Sequence, residues 1–495
     1  MAPESGLLID LKAALPNSQF HLPGSREYER LNNSYRSATN ASFRPPYIFS
    51  PTTKEEISTF VRITSDYVLN GAVTFAVVGN GQQVFPGCNN TDDVSNCEID
   101  ALTVNLSALK GVEIQDGLVR IAAGERWSRV YEVLEKEGLG VAGPNGSDAG
   151  VAGQALHGGI PFFYSRHGFI CDNVVNYEVV LASGEIINAS ASSHADLWRA
   201  LRGGGNNFGI VTRFDMQTYQ QGEVFGGVFS YPLAELPGQI QALVDDLTAP
   251  NPSKDTHITL EINHHGQEDI QCRNHVYIND AVDRPPWMLE PFLRAFARLP
   301  QFAVRRTTFA EAARTRNPLP VGPSAWAPRK KSMNTTLKAN FETLRDATDI
   351  FQEVLAEVCR NPVNYNYNRG TTFSLSLVPL TRAMLKASAS QGGNSLGLSP
   401  DAGPLVSVCL LAHWPYPSQD APMNATVERI LVRIRARALE SGHAVGFVHG
   451  VAAHETQRPV APESEEALRE VSGKYDPDGV FQYGVPGVFK LWDDE

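Results

Sequence analysis

The chain has no stretch of about 18 consecutive apolar residues, the length a membrane-spanning helix needs, so no membrane span is expected. It has no Lys/Arg block either. Acidic residues outnumber basic ones 54 to 42, and the net charge of −12 is spread along the sequence. That speaks against a nucleic-acid partner, because neutralising a phosphate backbone takes clustered positive charge. The six cysteines are Cys88, Cys97, Cys171, Cys272, Cys359 and Cys409, and no two are spaced Cys-x-x-Cys, which argues against zinc-ribbon and thioredoxin-like chemistry. Cys88 and Cys97 flank the polar loop NNTDDVSN. They read either as a disulfide of an oxidising compartment or as two thiols. There is no internal repeat, no Walker loop and no Gly-x-Ser-x-Gly elbow. Asn263-His264-His265-Gly266 lacks a third His or a spaced carboxylate, so it reads as a solvated turn and no metal is expected. The N-terminal MAPESGLLIDLKAALP lacks a charged region followed by a long apolar one. As written it implies a cytoplasmic protein, and a processed leader would place it in the secretory pathway instead.

What the chain does have is length and glycine. At 495 residues it is too long for one compact core and suits two or three domains. Residues 1–42 are a polar, turn-rich lead-in. Residues 46–81 read as strand, helix and strand: Thr52 or Thr53 caps the helix, Glu55 and Glu56 suit its positive end, and Ile57, Phe60, Val61 and Ile63 share a face. Short strands follow over 102–123, then a helix carrying Val130, Val133 and Leu134 and ending at Gly138. VVNYEVVLASGEIINAS predicts a hairpin about Ser183-Gly184, and ADLWRALRGGGNNFGIVTRFDM a helix, a glycine turn and a strand. Beyond about residue 220 glycine thins out, and longer strands and helices alternate. NATVERILVRIRARALESG predicts a helix capped at Asn424 or Thr426 and ended by Gly442. The closing YDPDGVFQYGVPGVFKL reads as turns and short strands.

Three glycine-rich segments fall in the first 220 residues: VVGNGQQ, the stretch 143–168, and RGGGNNFG. Glycine costs folding entropy, so repeated use suggests backbone that must approach a ligand closely. Gly79-Asn80-Gly81 alone is weak evidence. Val84 stands where a Rossmann fingerprint needs glycine, and Phe85-Pro86-Gly87 prevents the helix that should follow. Taken together, the segments fit a large, flat, anionic ligand such as a dinucleotide.

PPYIFSPTTKEEI, VVGNGQ, GSDAGVAGQALHGGIPFFYSRHG, LWRALRGGGNNFGIVTRF and YDPDGVFQ follow one another in the order found in berberine-bridge-enzyme-like FAD-linked oxidoreductases. The chain resembles that family, of the kind common in fungal secondary metabolism and related in fold to vanillyl-alcohol oxidase and p-cresol methylhydroxylase. The likeness spans most of 43–220 and 400–491. It implies an α+β protein with a two-part FAD-binding domain of the p-cresol methylhydroxylase type, formed by 43–220 and the returning segment 441–495. An α/β substrate domain with an antiparallel sheet, 221–440, is inserted between them. It further implies that Gly79, Asn80, Gly81, Gln82 and Gln83 meet the pyrophosphate. The flavin ring would lie near Ser147, Gly150, Gly153, His157 and Gly158, and the backbone of Gly209, Ile210 and Val211 along the nucleotide.

Departures from the family pattern refine this. Gln82 stands where relatives carry the His that tethers the flavin, and an amide cannot form that bond. The second attachment point, a Cys in the region 143–147, is also absent. The expected cofactor is therefore non-covalent FAD. The Tyr-x-Asn-Tyr-Ala pattern that supplies a base in relatives falls on Val448 to Ala452, so both polar groups are missing. His157 and His449 become the candidate acid–base groups, with packed or hydrogen-bonded structural histidines as the alternative reading. Tyr365, with Tyr367, is a candidate substrate contact, or else a packing residue. The function implied is an FAD-dependent oxidoreductase acting on a bulky, apolar polyketide or alkaloid intermediate, with O2 as acceptor if it is an oxidase. The rival reading is a redox-neutral cyclase or double-bond isomerase on the same scaffold.

Overall fold

The computed structural model describes residues 5–34, 44–80, 100–265, 270–279, 305–314, 329–360, 370–453, 457–485 and 489–492. Near the start, Ile48–Ser50 and Val73–Val78 lie parallel to Asp100–Asn105 on its two sides, and Gln19–His21 adds an antiparallel edge. The helix Lys54–Leu69 joins two of these strands. Thr53 and Glu56 close a capping box at its start, and it buries Ile57, Phe60 and Val61. In a second sheet the long strand Ile210–Gln220 lies between Leu118–Ala122 and Val174–Val180, and the latter continues into Ile186–Ser190 as the expected hairpin. Gly184 takes φ +80° at its tip, where a Cβ would press on Ser58.

The third sheet is antiparallel throughout. Its order is Arg305–Thr307, Val224–Tyr231, Gln271–Asn279, Thr256–His265, Thr372–Leu380, Leu405–Trp414, Arg329–Lys338, Ala444–Val445. Strand side chains alternate between faces. One face, with Ile258, Leu260, Ile262, Leu375, Leu377, Val406, Val408 and Leu410, forms a core with the helices Leu236–Thr248, Phe341–Arg360 and Asp420–Glu440. The other face carries His257, Thr259, Glu261 and Asn263, with His275 opposite Thr259 and Ser374 opposite Asn263.

The two largest cores among the described residues show how the chain is laid out. One begins at Leu7, runs to Val224, and is rejoined at the chain's end by Val448, Ala453, Leu468, Phe481 and Leu491. The other is built within the intervening chain, from Phe229 to Ala438. This is the α+β arrangement with a two-part first body and an inserted sheet that the resemblance implies.

The structure corrects several local readings. The helix expected from Asn424 starts at Asp420. Pro422 does not stop it, because the first-turn N–H it lacks has no intrahelical partner anyway. Asp420 is fixed there by Arg329 and by Trp414 Nε1 at 2.6 Å. The closing segment forms a short helix, Val480–Tyr483, where strands were expected. Asp476 accepts from the amides of Val480 and Phe481 at 2.8 and 2.7 Å and so satisfies its start. His264 and His265 end a strand instead of forming a turn. The helix Phe309–Arg314 belongs by sequence to the inserted part but packs into the first core, with Phe309 against Tyr131 and Phe162.

A buried arginine ties the first body to the insert. Arg202 is 2% exposed and lies 3.6 Å over the Trp198 ring. It donates to the carbonyls of Asp172, Val174, Gln391 and Gly393. The many acceptors offset the desolvation of a charge that burial alone would make prohibitive.

His167 stacks on Tyr219 at 4.3 Å, and burial, with Arg166 nearby, pushes its pKa down to about 3. His413 is likewise pushed down to about 4 by burial. The unfolded chain takes up these protons first, so stability present above pH 6.5 is lost as pH falls through the window down to those values. Each group contributes at most about 1.4 kcal/mol per pH unit. His167→Phe keeps the stack on Tyr219 and removes the proton site. Urea midpoints should therefore fall less steeply on acidification for this variant than for wild type. An unchanged acid slope would mean that His167 is not held neutral.

Candidate functional site

The strand Val73–Val78 delivers Gly79 and Asn80 to the start of the helix Val151–Leu156. The two pieces touch. A Cβ on Gly150 would lie 2.8 Å from the Asn80 carbonyl oxygen, and one on Gly79 would meet Ala152 at 3.6 Å. The Asn80 side chain is committed to protein: its amide donates to Gly124 O at 2.9 Å, and its oxygen accepts from Arg126 Nε at 3.0 Å. The turn can therefore offer a ligand its backbone, not this side chain. Gly81, Gln82 and Gln83 lie outside the described residues, as do Cys88, Cys97, Tyr365 and Tyr367.

Gly146 and Gly153 differ from the other glycines of this stretch. A Cβ on either would meet nothing within 4 Å, so bare backbone there faces open space. Gly146 has φ +142°, where a side chain would also be strained. Between them, Ser147 is fully buried, and its Oγ has no hydrogen-bond partner. Gly158 serves protein packing instead, since its Cβ would strike Leu396 at 2.8 Å. So does Gly209, where a Cβ would lie 2.6 Å from Val180 O, with Ile210 and Val211 buried in the sheet.

His157 is half-buried at the end of the same helix. Its Nδ1 lies 3.0 Å from Gly153 O, which only accepts, so Nδ1 carries the proton and Nε2 keeps a lone pair. Burial lowers its pKa, the Gly153 bond opposes that shift, and Lys490 adds to it. The imidazole is neutral near pH 7. Its Nε2 would be 3.1 Å from a Cβ on Gly205, and its Cβ 3.2 Å from one on Gly450. Gly450 follows His449 directly, so the structure brings together the segments of the two candidate histidines.

His449 is held through its backbone. Asn334 Nδ2 donates to His449 O at 3.0 Å, and His449 N donates to Asn334 Oδ1 at 2.8 Å. Gln457 in turn accepts from Asn334 N and donates to Asn334 O. Ser332 Oγ donates to Ala452 O at 3.0 Å. The strand Arg329–Lys338 thus grips the returning segment and sets it beside His157.

A polar seam joins the glycine-rich segment to the third sheet. His257 meets Asn145 and Phe162, Tyr164 OH bonds both the carbonyl and the amide of Ile258, Ser165 bonds Thr381, and Arg166 pairs with Asp255. No reading of the sequence singled out His257 or Lys490, and none gave Asn334 a part in the site. Each is an isolated polar residue whose only sequence signal is polarity at an inward strand or loop position. A separate cavity of about 200 Å³, lined by Tyr131, Glu135, Gln221 and Phe309 among others, contains none of the expected site residues. Among the described residues no cluster of three His, Cys, Asp or Glu could hold a metal. No described helix is long and apolar enough to cross a membrane.

Exposed glycine backbone, an unpartnered buried hydroxyl and a neutral imidazole fit a flat, hydrogen-bonding cofactor, and similarity to known proteins identifies it as FAD. Residues 45–190 match the FAD binding domain family. The chain is 32% identical over 461 residues to the FAD-dependent monooxygenase tpcD of Cochliobolus heterostrophus, covering 90% of this chain and 84% of that protein. It is 33% identical over 439 residues to the FAD-dependent monooxygenase FUP4 of Fusarium proliferatum, covering 84% and 80%. The solved berberine bridge enzyme in complex with (S)-reticuline shares the fold, with a TM-score of 0.74 at 14% identity over 97% of this chain and 98% of that one. The chain belongs to the family of fungal FAD-dependent oxidoreductases that these relatives represent, and it is an FAD enzyme.

The bare backbone at Gly153 gives a direct check. Gly153→Leu should leave the flavin-free protein as stable as wild type or up to about 1 kcal/mol more stable, because leucine suits a helix better than glycine. Its flavin content after purification should drop sharply. Full flavin content in a folded Gly153→Leu protein would remove Gly153 from the cofactor site.

Proposed function

We propose that the protein binds FAD without a covalent link and oxidises a bulky, largely apolar small molecule of secondary metabolism, with O2 as electron acceptor. The observation that carries this reading is the exposed backbone at Gly146 and Gly153, flanked by Asn80 on one side and by the His157–Gly450 contact on the other. Gln82 at the tether position supports the non-covalent link. When bound, FAD supplies a two-electron acceptor for the substrate and a route for those electrons to O2. The chain supplies the rest. Glycine backbone lets the cofactor approach, and the third sheet faces the glycine-rich segment across the polar seam. In this reading His157, whose Nε2 keeps a lone pair, takes a proton, and His449 is the second candidate. The monooxygenase names of the relatives favour an oxidative reaction. The missing Tyr and Asn at 448–452 keep a redox-neutral reaction as the rival.

One measurement tests the link and another the reaction class. Acid precipitation should leave all yellow colour in the supernatant, and colour retained in the pellet would refute the non-covalent link. Holoenzyme reduced by dithionite should reoxidise in air. A flavin that stays reduced in air would overturn the oxidase reading and favour the redox-neutral one.

A further inference from the structure

His257 lies on the polar face of the third sheet, 3% exposed, far in sequence from the glycine-rich segments. Its Nδ1 is 2.8 Å from Phe162 O, and its Nε2 is 2.9 Å from Asn145 Nδ2. A carbonyl oxygen only accepts, so Nδ1 must carry the proton. Nε2 is then a lone pair, and it must receive an N–H from the Asn145 carboxamide. The opposite amide orientation would set an oxygen against that lone pair. The tautomer of His257 therefore fixes which way the Asn145 amide points. The Phe162 ring, tilted at 4.6 Å from the imidazole, holds the ring in place.

This leaves Asn145 Oδ1 turned away from His257, buried and without a hydrogen-bond donor. It is not alone. Ser147 Oγ, two residues on, and Thr259 Oγ1, the next residue on the same sheet face as His257, are also buried and unpartnered. Gly146, with open space where a side chain would be, lies between Asn145 and Ser147. Buried polar groups without partners are uncommon in folded proteins, and these three, two on the glycine-rich segment and one on the strand that His257 ties to it, mark a place where a bound molecule completes the hydrogen bonding.

We infer that His257 is a positioning residue that presents Asn145 Oδ1, with Ser147 and Thr259 beside it, to an N–H or O–H donor on a molecule bound between the glycine-rich segment and the third sheet. The inference rests on the flavin reading above. The donor belongs either to the flavin or to a hydroxyl-bearing substrate, and the chemistry of recognition is the same for both.

The test uses purified holoenzyme. Asn145→Leu removes the acceptor, and His257→Phe removes the lone pair that orients it while keeping a ring against Phe162. His257→Gln places an amide oxygen near the Nε2 position and should restore the orientation. Two quantities are read: flavin retained after dilution, and the affinity for a naphthalenediol relative to its dimethyl ether, followed through the flavin spectrum. Asn145→Leu and His257→Phe should each weaken one of the two by about ten-fold. The double variant should be no worse than either single one, and His257→Gln should stay close to wild type. Loss of flavin retention places the donor on the flavin, and loss of the diol preference places it on the substrate; either supports the inference. Unchanged values in both, or a His257→Gln protein as impaired as His257→Phe, would overturn it. Melting temperatures identify any variant that fails by unfolding, and His257→Gln keeps the test open in that case. A wild-type protein that takes up no flavin would instead defeat the reading on which the inference rests.

Discussion

The site depends on the buried polar seam between the glycine-rich segment and the third sheet. Glycine-rich backbone has little intrinsic preference for one conformation. Here it is fixed from outside, by His257 on Asn145 and Phe162, by Tyr164 on Ile258, and by the Arg166–Asp255 pair. Charge-assisted and buried hydrogen bonds are worth more in this low-dielectric setting than at the surface, and each is costly to break on one side only. The sheet thus serves two purposes: its apolar face builds its own core, and its polar face holds the glycine segment in the shape a flat cofactor needs.

The same logic recurs at two other places. Arg202 gathers carbonyls from 172–174 and from 391–393, so the first body and the insert cannot separate without exposing an unpaired charge. Asn334 brackets the backbone of His449 with a donor and an acceptor, fixing the returning segment against His157. In each case one polar side chain holds an irregular stretch of backbone from outside.

Local order was legible in the sequence wherever a short-range signal decided it. Thr53 with Glu56, the Ser183-Gly184 hairpin and the glycine turn before Ile210 all formed as expected, because capping and turn chemistry act within a few residues. The order of family motifs revealed the two-part first body, which periodicity alone could not show. What escaped was tertiary. The helix Phe309–Arg314 joined the first core through Phe309, and the helix at Asp420 began early because Arg329 and Trp414 reach it from another strand. His257 and Asn334 take hydrogen-bond partners more than 90 residues away, beyond the reach of any local signal.

Glycine is used in two ways that sequence could not separate. At Gly158 and Gly209 the missing side chain admits protein, whereas at Gly146 and Gly153 it leaves open space. The proposed cofactor site rests on the second kind. The absorption spectrum of the purified protein, supplied with FAD and freed of excess, tests it most directly. The account predicts the two absorption bands of bound oxidised flavin, at one flavin per chain. A folded protein that stays colourless after incubation with FAD would contradict it.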